Sequence, residues 1–65
     1  MIAVRSSVIS AIDYDGHSST LYIKFKSGSL YKFYGVPEST FNGFLNARSK
    51  GTYFNSRIKG RYRSS

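Results

Sequence analysis

Residues 20–34 constrain the fold more than any other stretch of the chain. Leu21, Ile23 and Phe25 alternate with Tyr22, Lys24 and Lys26, and the alternation resumes over residues 29–34 after Ser27-Gly28. A period of two belongs to a half-buried strand, so two strands joined by a tight turn are predicted. The loop decides which side chains share a face. A two-residue Ser27-Gly28 loop pairs Lys26 with Ser29 and sets Leu21, Ile23 and Phe25 beside Leu30, Lys32 and Tyr34. A three-residue Lys26-Ser27-Gly28 loop, with Gly28 left-handed in a bulge, pairs Phe25 with Ser29. That register gathers Leu21, Ile23, Phe25, Tyr31 and Phe33 on one face. It leaves Tyr22, Lys24, Lys32 and Tyr34 on the other, with Leu30. A slip of one residue inverts every side chain, so the hydrophobic set chooses, and it favours the three-residue loop.

The flanking segments extend this hairpin. Residues 7–14 read as a preceding strand, with Val8, Ile12 and Tyr14 on one face and Ile9 and Ala11 on the other. Asp15-Gly16-His17-Ser18-Ser19 is a turn, since glycine tolerates positive φ and Asp and Ser side chains bond nearby backbone. Pro37 suits the first position of a helix, and Glu38 beside it favours the positive end of the helix dipole. Phe41, Phe44 and Leu45 form an apolar stripe at i, i+3 and i+4, in a helix ending near Ala47. Gly43 inside it costs roughly 1 kcal/mol against alanine, which fits a close approach to a strand. Ser49 caps a second short helix through about Arg57, burying Phe54 and Ile58. Residues 59–65 read as a basic tail prone to fraying.

The expected architecture is therefore α+β: a three-stranded antiparallel β-meander followed by two short C-terminal helices packed on one face. The predicted core is Ile12, Leu21, Ile23, Phe25, Tyr31, Phe33, Phe41, Phe44, Leu45, Phe54 and Ile58. At 65 residues the chain reads as a single domain spanning 1–65. A domain of this size hides only about 60% of the surface its unfolded chain exposes, so nearly every large apolar side chain is needed inside. With no cysteine, disulfides and thiolate–metal staples are excluded, and a reducing cytoplasm suits the composition. No apolar run approaches the roughly 20 residues of a membrane span, and no signal-peptide core follows Met1. A cytoplasmic domain without membrane contact is the expectation.

Two longer segments carry a family resemblance. One is Phe25-Lys-Ser-Gly28-Ser-Leu-Tyr31-Lys-Phe33-Tyr-Gly35-Val36-Pro37, the other Ser49-Lys-Gly51-Thr-Tyr-Phe54-Asn55-Ser-Arg-Ile58. Together they resemble the KTSC domain, a small domain found at the C-terminus of some lysyl-tRNA synthetases and as stand-alone bacterial and phage proteins. The likeness covers about residues 6–62 and leaves no room for a synthetase catalytic domain. The family's Tyr-x-Tyr pattern corresponds to Tyr31-Lys32-Phe33, so the second ring here lacks its hydroxyl. The resemblance implies no established activity; RNA binding is what the synthetase context implies.

Charge points the same way. Residues 1–38 balance to +1, whereas Arg48, Lys50, Arg57, Lys59, Arg61 and Arg63 give the remainder +6 of the net +7, interleaved with Tyr53 and Tyr62. A field this lopsided attracts polyanions. On the polar sheet face Tyr22 and Tyr34 alternate with Lys24 and Lys32, rings for bases and cations for phosphates. The bland alternative is a solvent-facing strand stabilised by cross-strand Tyr–Lys packing. The nominated nucleic-acid-binding residues are Tyr22, Lys24, Lys32, Tyr34, Lys50, Arg57, Lys59 and Arg61. The partner is RNA or another polyanion. The competing reading is a protein-interaction adaptor of phage or bacterial origin, with an acidic protein partner or a second copy joined through a strand edge.

Catalytic patterns are nearly absent. Asp13, Asp15, Glu38 and His17 are the only acid or base candidates, and the Asp13–His17 run lacks calcium-loop spacing. The serines match no nucleophile elbow. Gly28, Gly35, Gly43, Gly51 and Gly60 lie too far apart for a phosphate loop. The Ser49-Lys50-Gly51 helix start is a generic anion site, but simple capping explains it better. No catalysis, metal or cofactor is expected.

Overall fold

The computed structural model describes residues 1–65. Its sheet is antiparallel, with strands in chain order: β1 (Ile2–Ala3), β2 (Ile9–Asp15), β3 (Thr20–Phe25) and β4 (Leu30–Phe33). The hairpin adopts the three-residue loop. Leu21 pairs with Phe33 and Ile23 with Tyr31; the Phe25 N–H donates to the Ser29 carbonyl (2.8 Å). Gly28 takes φ of +98° there, a conformation that other residues reach only at a cost of roughly 1–2 kcal/mol.

Three strands were expected and four are present. β1 is two residues long, too short to show a period, and it forms by pairing Ile2 with Ile12 and Ala3 with Ala11 along the free edge of β2. The first predicted strand also needs correction. β2 carries a bulge: Ile9 pairs with Phe25 and Ala11 with Lys24, leaving Ser10 as the extra residue. The extra residue turns Ile9 onto the same face as Ile12, and both are fully buried, while Val8 stays exposed. Strict alternation had assigned Val8 and Ile9 the other way round.

Helix α1 (Glu38–Asn46) and α2 (Lys50–Tyr53) cover the inner face. Pro37 lies just outside α1 rather than at its first position, and its carbonyl accepts from Thr40 and Phe41. Ser49 caps α2 as expected, its Oγ accepting from the Thr52 N–H (3.2 Å). The second helix does not stay α-helical. Phe54–Ile58 forms a π-helical turn closed by the Lys59 N–H on the Phe54 carbonyl (2.8 Å). This wider turn lets Tyr53, Phe54 and Ile58 all reach inward: Tyr53 stacks on Phe44, Phe54 meets Phe25 and Phe33, and Ile58 is fully buried.

The fully enclosed core comprises Ile9, Ile12, Leu21, Ile23, Phe33, Val36, Phe44 and Ile58. Phe25, Phe41, Leu45 and Phe54 of the predicted core are partly buried against it. Tyr31 is not enclosed: its ring meets Phe25 edge-on but remains 45% exposed. Two contacts from Val36 fasten the β2–β3 turn to the α1 entry. The Val36 N–H donates to the Ser19 carbonyl (2.9 Å), and the Tyr14 hydroxyl donates to the Val36 carbonyl (2.6 Å).

The C-terminal segment does not dangle. Tyr62 packs on the core, and the chain then runs back along the outer edge of β4, with Ser64 bridged to Phe33. The Tyr34 N–H donates to the Arg63 carbonyl (2.9 Å), and the Ser65 N–H donates to the Lys32 carbonyl (3.0 Å). Backbone pairing along an edge strand has no local sequence signature, which is why this segment read as frayed.

Candidate nucleic-acid interface

The register on β3 and β4 fixes the outer face. Tyr22 pairs directly with Lys32, Lys24 with Leu30, and Asp13 of β2 with Tyr22 on its other side. The Lys32 ammonium lies 5.9 Å from the centre of the half-buried Tyr22 ring, a cation–π contact across the two strands. Tyr34 follows two residues along β4's line and is 38% exposed; its hydroxyl donates to Ser65 Oγ (3.1 Å). Because Ser64 opposes Phe33, Arg63 falls opposite Tyr34 and so belongs to the same face. Lys24 and Leu30 are exposed beside them.

None of the ten Lys and Arg side chains pairs with a carboxylate; the single ion pair joins the N-terminal ammonium to Asp13 (3.8 Å). Asp13 and, by alternation along β2, Asp15 are the acids of the outer face, and the charge of Asp13 is met locally. Asp15 ends β2, paired with Thr20 at the mouth of the β2–β3 turn. Hydrogen bonds from the His17 N–H (3.0 Å), then from the Ser18 hydroxyl (3.0 Å), hold its carboxyl below the ordinary value. No three His, Asp or Glu side chains converge anywhere.

The eight nominated residues fall on two sides of the molecule. Tyr22, Lys24, Lys32 and Tyr34 share the outer face, as the register required. Lys50, Arg57, Lys59 and Arg61 lie in the helix layer, against the opposite face. Lys50 is half-buried and donates to the Ala47 carbonyl, closing the α1–α2 junction. The Arg57 guanidinium lies 5.9 Å from the Tyr53 ring centre, and Arg61 Nε donates to the Ser56 carbonyl (3.2 Å). Lys59 is exposed at the rim of a groove of about 740 Å³ that opens between the hairpin tip and the π-helical turn. Its walls carry Phe25, Tyr31, Phe54 and Tyr62, with Lys26 on the hairpin side.

Sequence reasoning missed this groove and missed Arg63 as part of the outer face. Tyr31 held the only available signal for the groove. It is a tyrosine on the apolar face of an edge strand, where a ring is free to stay half open.

These features define a class: a small α+β domain with a tyrosine- and lysine-bearing sheet face and cations that pair with no carboxylate. The KTSC domain family model matches residues 5–62, and the chain belongs to that family. It is 40% identical over 63 residues to a lysine–tRNA ligase of Nostoc punctiforme, a match covering 97% of this chain but only 11% of the ligase. A protein of Tsukamurella paurometabola is 38% identical over 98% of this chain and 96% of its own length. Among solved structures, a KTSC domain protein from Yersinia pestis superimposes with a TM-score of 0.95 at 38% identity, covering 97% of this chain and 89% of that one. The resemblance drawn from the two sequence segments is thereby established.

Proposed function

We propose that this chain is a non-catalytic RNA-binding module that takes a single strand across the outer sheet face. The observation that carries the reading is the placement of Tyr22, Lys32 and Tyr34 on one open face, with no ion pair to neutralise any of the lysines or arginines. Tyr22 and Tyr34 are diagonal neighbours on paired strands, a spacing of roughly 7–8 Å. Bases in a duplex stack about 3.4 Å apart, so two rings this far apart suit splayed bases of a single strand. Lys24, Lys32 and Arg63 then meet the phosphates. Arg57, Lys59 and Arg61 contribute to the attractive field from behind the sheet, and Lys50, tied to Ala47, contributes least.

Relatives named lysine–tRNA ligase carry a matching segment, which supports an RNA partner over DNA. A cytoplasmic working place belongs to the same reading and agrees with the lack of cysteine. The test is fluorescence anisotropy of labelled single-stranded RNA. Binding is expected at about 50 mM salt, and with four to six phosphates neutralised its logarithm falls against log salt with a slope of roughly −3 to −4. Tyr34→Ala lowers affinity by about 1–3 kcal/mol if its ring carries a base. Absence of any binding at low salt and tens of micromolar protein refutes the proposal.

A further inference from the structure

The geometry points to a second binding site, separate from the outer face: the groove under the hairpin tip takes an acidic peptide segment that carries an apolar anchor side chain. At about 740 Å³ the groove lies within the roughly 300–1,000 Å³ of ordinary ligand sites. It is open rather than enclosed, as a docking cleft for a chain must be.

Its aromatic rings meet edge to face. Phe25 contacts Tyr31 at 5.4 Å and 67°, and Phe54 at 5.4 Å and 76°; Phe33 contacts Phe54 at 5.7 Å and 70°. Such a herringbone leaves clefts between ring edges that accept an aliphatic or aromatic side chain. Phe25, Phe33 and Phe54 are taken up by these mutual contacts and only Tyr31 stays open, so the groove offers no pair of ring faces for successive bases. A peptide is therefore the better occupant than a nucleic acid strand.

Charge fixes the character of that peptide. Lys26 reaches the rim from the hairpin loop and Lys59 from the end of the π-helical turn, so cations stand on both sides of an apolar floor. No Asp or Glu lines the groove, and neither lysine has a carboxylate partner. Acidic residues flanking an apolar anchor complete both rims at once. Tyr31, the exposed ring of the floor, is the surface that the anchor would cover. Tyr31 and Phe33 alternate with Lys32 along β4 and with Tyr34 just past its end, so this site faces away from the proposed RNA surface, and each can fail without the other.

The experiment is selection of a random peptide library on the whole protein, followed by NMR shift mapping with the most enriched peptide. Enrichment of sequences with Asp or Glu around a Leu, Phe or Trp is expected, with shifts at Phe25, Tyr31, Lys59 and Tyr62. Charge reversal at the two exposed rim positions, Lys26→Glu with Lys59→Glu, should weaken that peptide by at least about tenfold while thermal unfolding remains cooperative. Tyr34→Ala on the outer face should leave peptide affinity unchanged. The proposal is overturned by any of three results: no enriched consensus or a basic one, shifts confined to Tyr22 and Lys32, or groove shifts produced by single-stranded RNA instead of the peptide.

Discussion

An alanine at position 43 would place its Cβ 2.5 Å from the Tyr53 hydroxyl, nearer than such atoms ever sit. That hydroxyl donates to the Thr40 carbonyl (3.0 Å), and the ring stacks on Phe44 at 5.4 Å, so Tyr53 has little freedom to retreat. The close approach anticipated at Gly43 is thus to the second helix, not to a strand. Losing the hydrogen bond and shifting the stack outweighs the helix-propensity gain of about 1 kcal/mol, so Gly43→Ala should destabilise by about 1 kcal/mol net. In a Tyr53→Phe background the same change should be close to neutral, a coupling that denaturant titration of the four variants measures directly. At Asp15, the folded-state carboxyl titrates below the ordinary 3.8 because the His17 N–H and the Ser18 hydroxyl stabilise its charge. Such a depressed group adds stability above the unfolded pKa and loses it as pH falls through the lower folded value. Carbon-detected NMR titration should therefore find Asp15 below 3.8, and Asp15→Asn should flatten the acid limb of the stability profile. Phe33, in the place of the family's second tyrosine, is 4% exposed against Phe54, so in this chain the ring serves packing.

Among the elements, the C-terminal segment matters beyond its length. It holds β4 from the side away from β3, and it brings Arg63 and Ser65 beside Tyr34. Its pairing also covers part of the edge that a second copy would need, while the two-residue β1 leaves little at the other edge. Deleting residues 63–65 removes the backbone bonds from Tyr34 to Arg63 and from Ser65 to Lys32. Each such bond is worth roughly 0.5–1.5 kcal/mol net, part of it offset by freeing the segment, so a loss of about 1 kcal/mol is expected. The sharper readout is hydrogen exchange: the Tyr34 amide should become fast-exchanging while the Ile23 and Phe33 amides stay protected. Unchanged exchange at Tyr34 would show that the segment contributes nothing to the edge.

For the molecule as a whole, the +7 charge is nearly unopposed, since the one ion pair uses the N-terminal ammonium rather than a Lys or Arg side chain. Self-repulsion of this kind favours the unfolded chain, where charges stand further apart. Screening should relieve it: the Debye length falls from about 30 Å at 0.01 M to about 8 Å at 0.15 M, against a longest dimension of 28 Å. The melting temperature is therefore expected to rise over that range of sodium chloride, in calorimetry, whereas RNA affinity over the same range should fall. Opposite signs for folding and binding would tie both effects to the same unpaired cations.

The sequence by itself determined the hairpin register, the first helix and the capped start of the second, the outer-face set of Tyr22, Lys24, Lys32 and Tyr34, and the family. Each of these rests on contacts between residues close in the chain, where spacing alone encodes geometry. Only the tertiary structure decided the bulge that buries Ile9 in place of Val8, the pairing of β1, the return of Arg63–Ser65 along β4, and the groove with its exposed Tyr31. Those features depend on an edge, a partner ring or a helix end supplied from elsewhere in the chain. Their energy comes from backbone groups and packed surfaces that have no residue code until the fold brings them together.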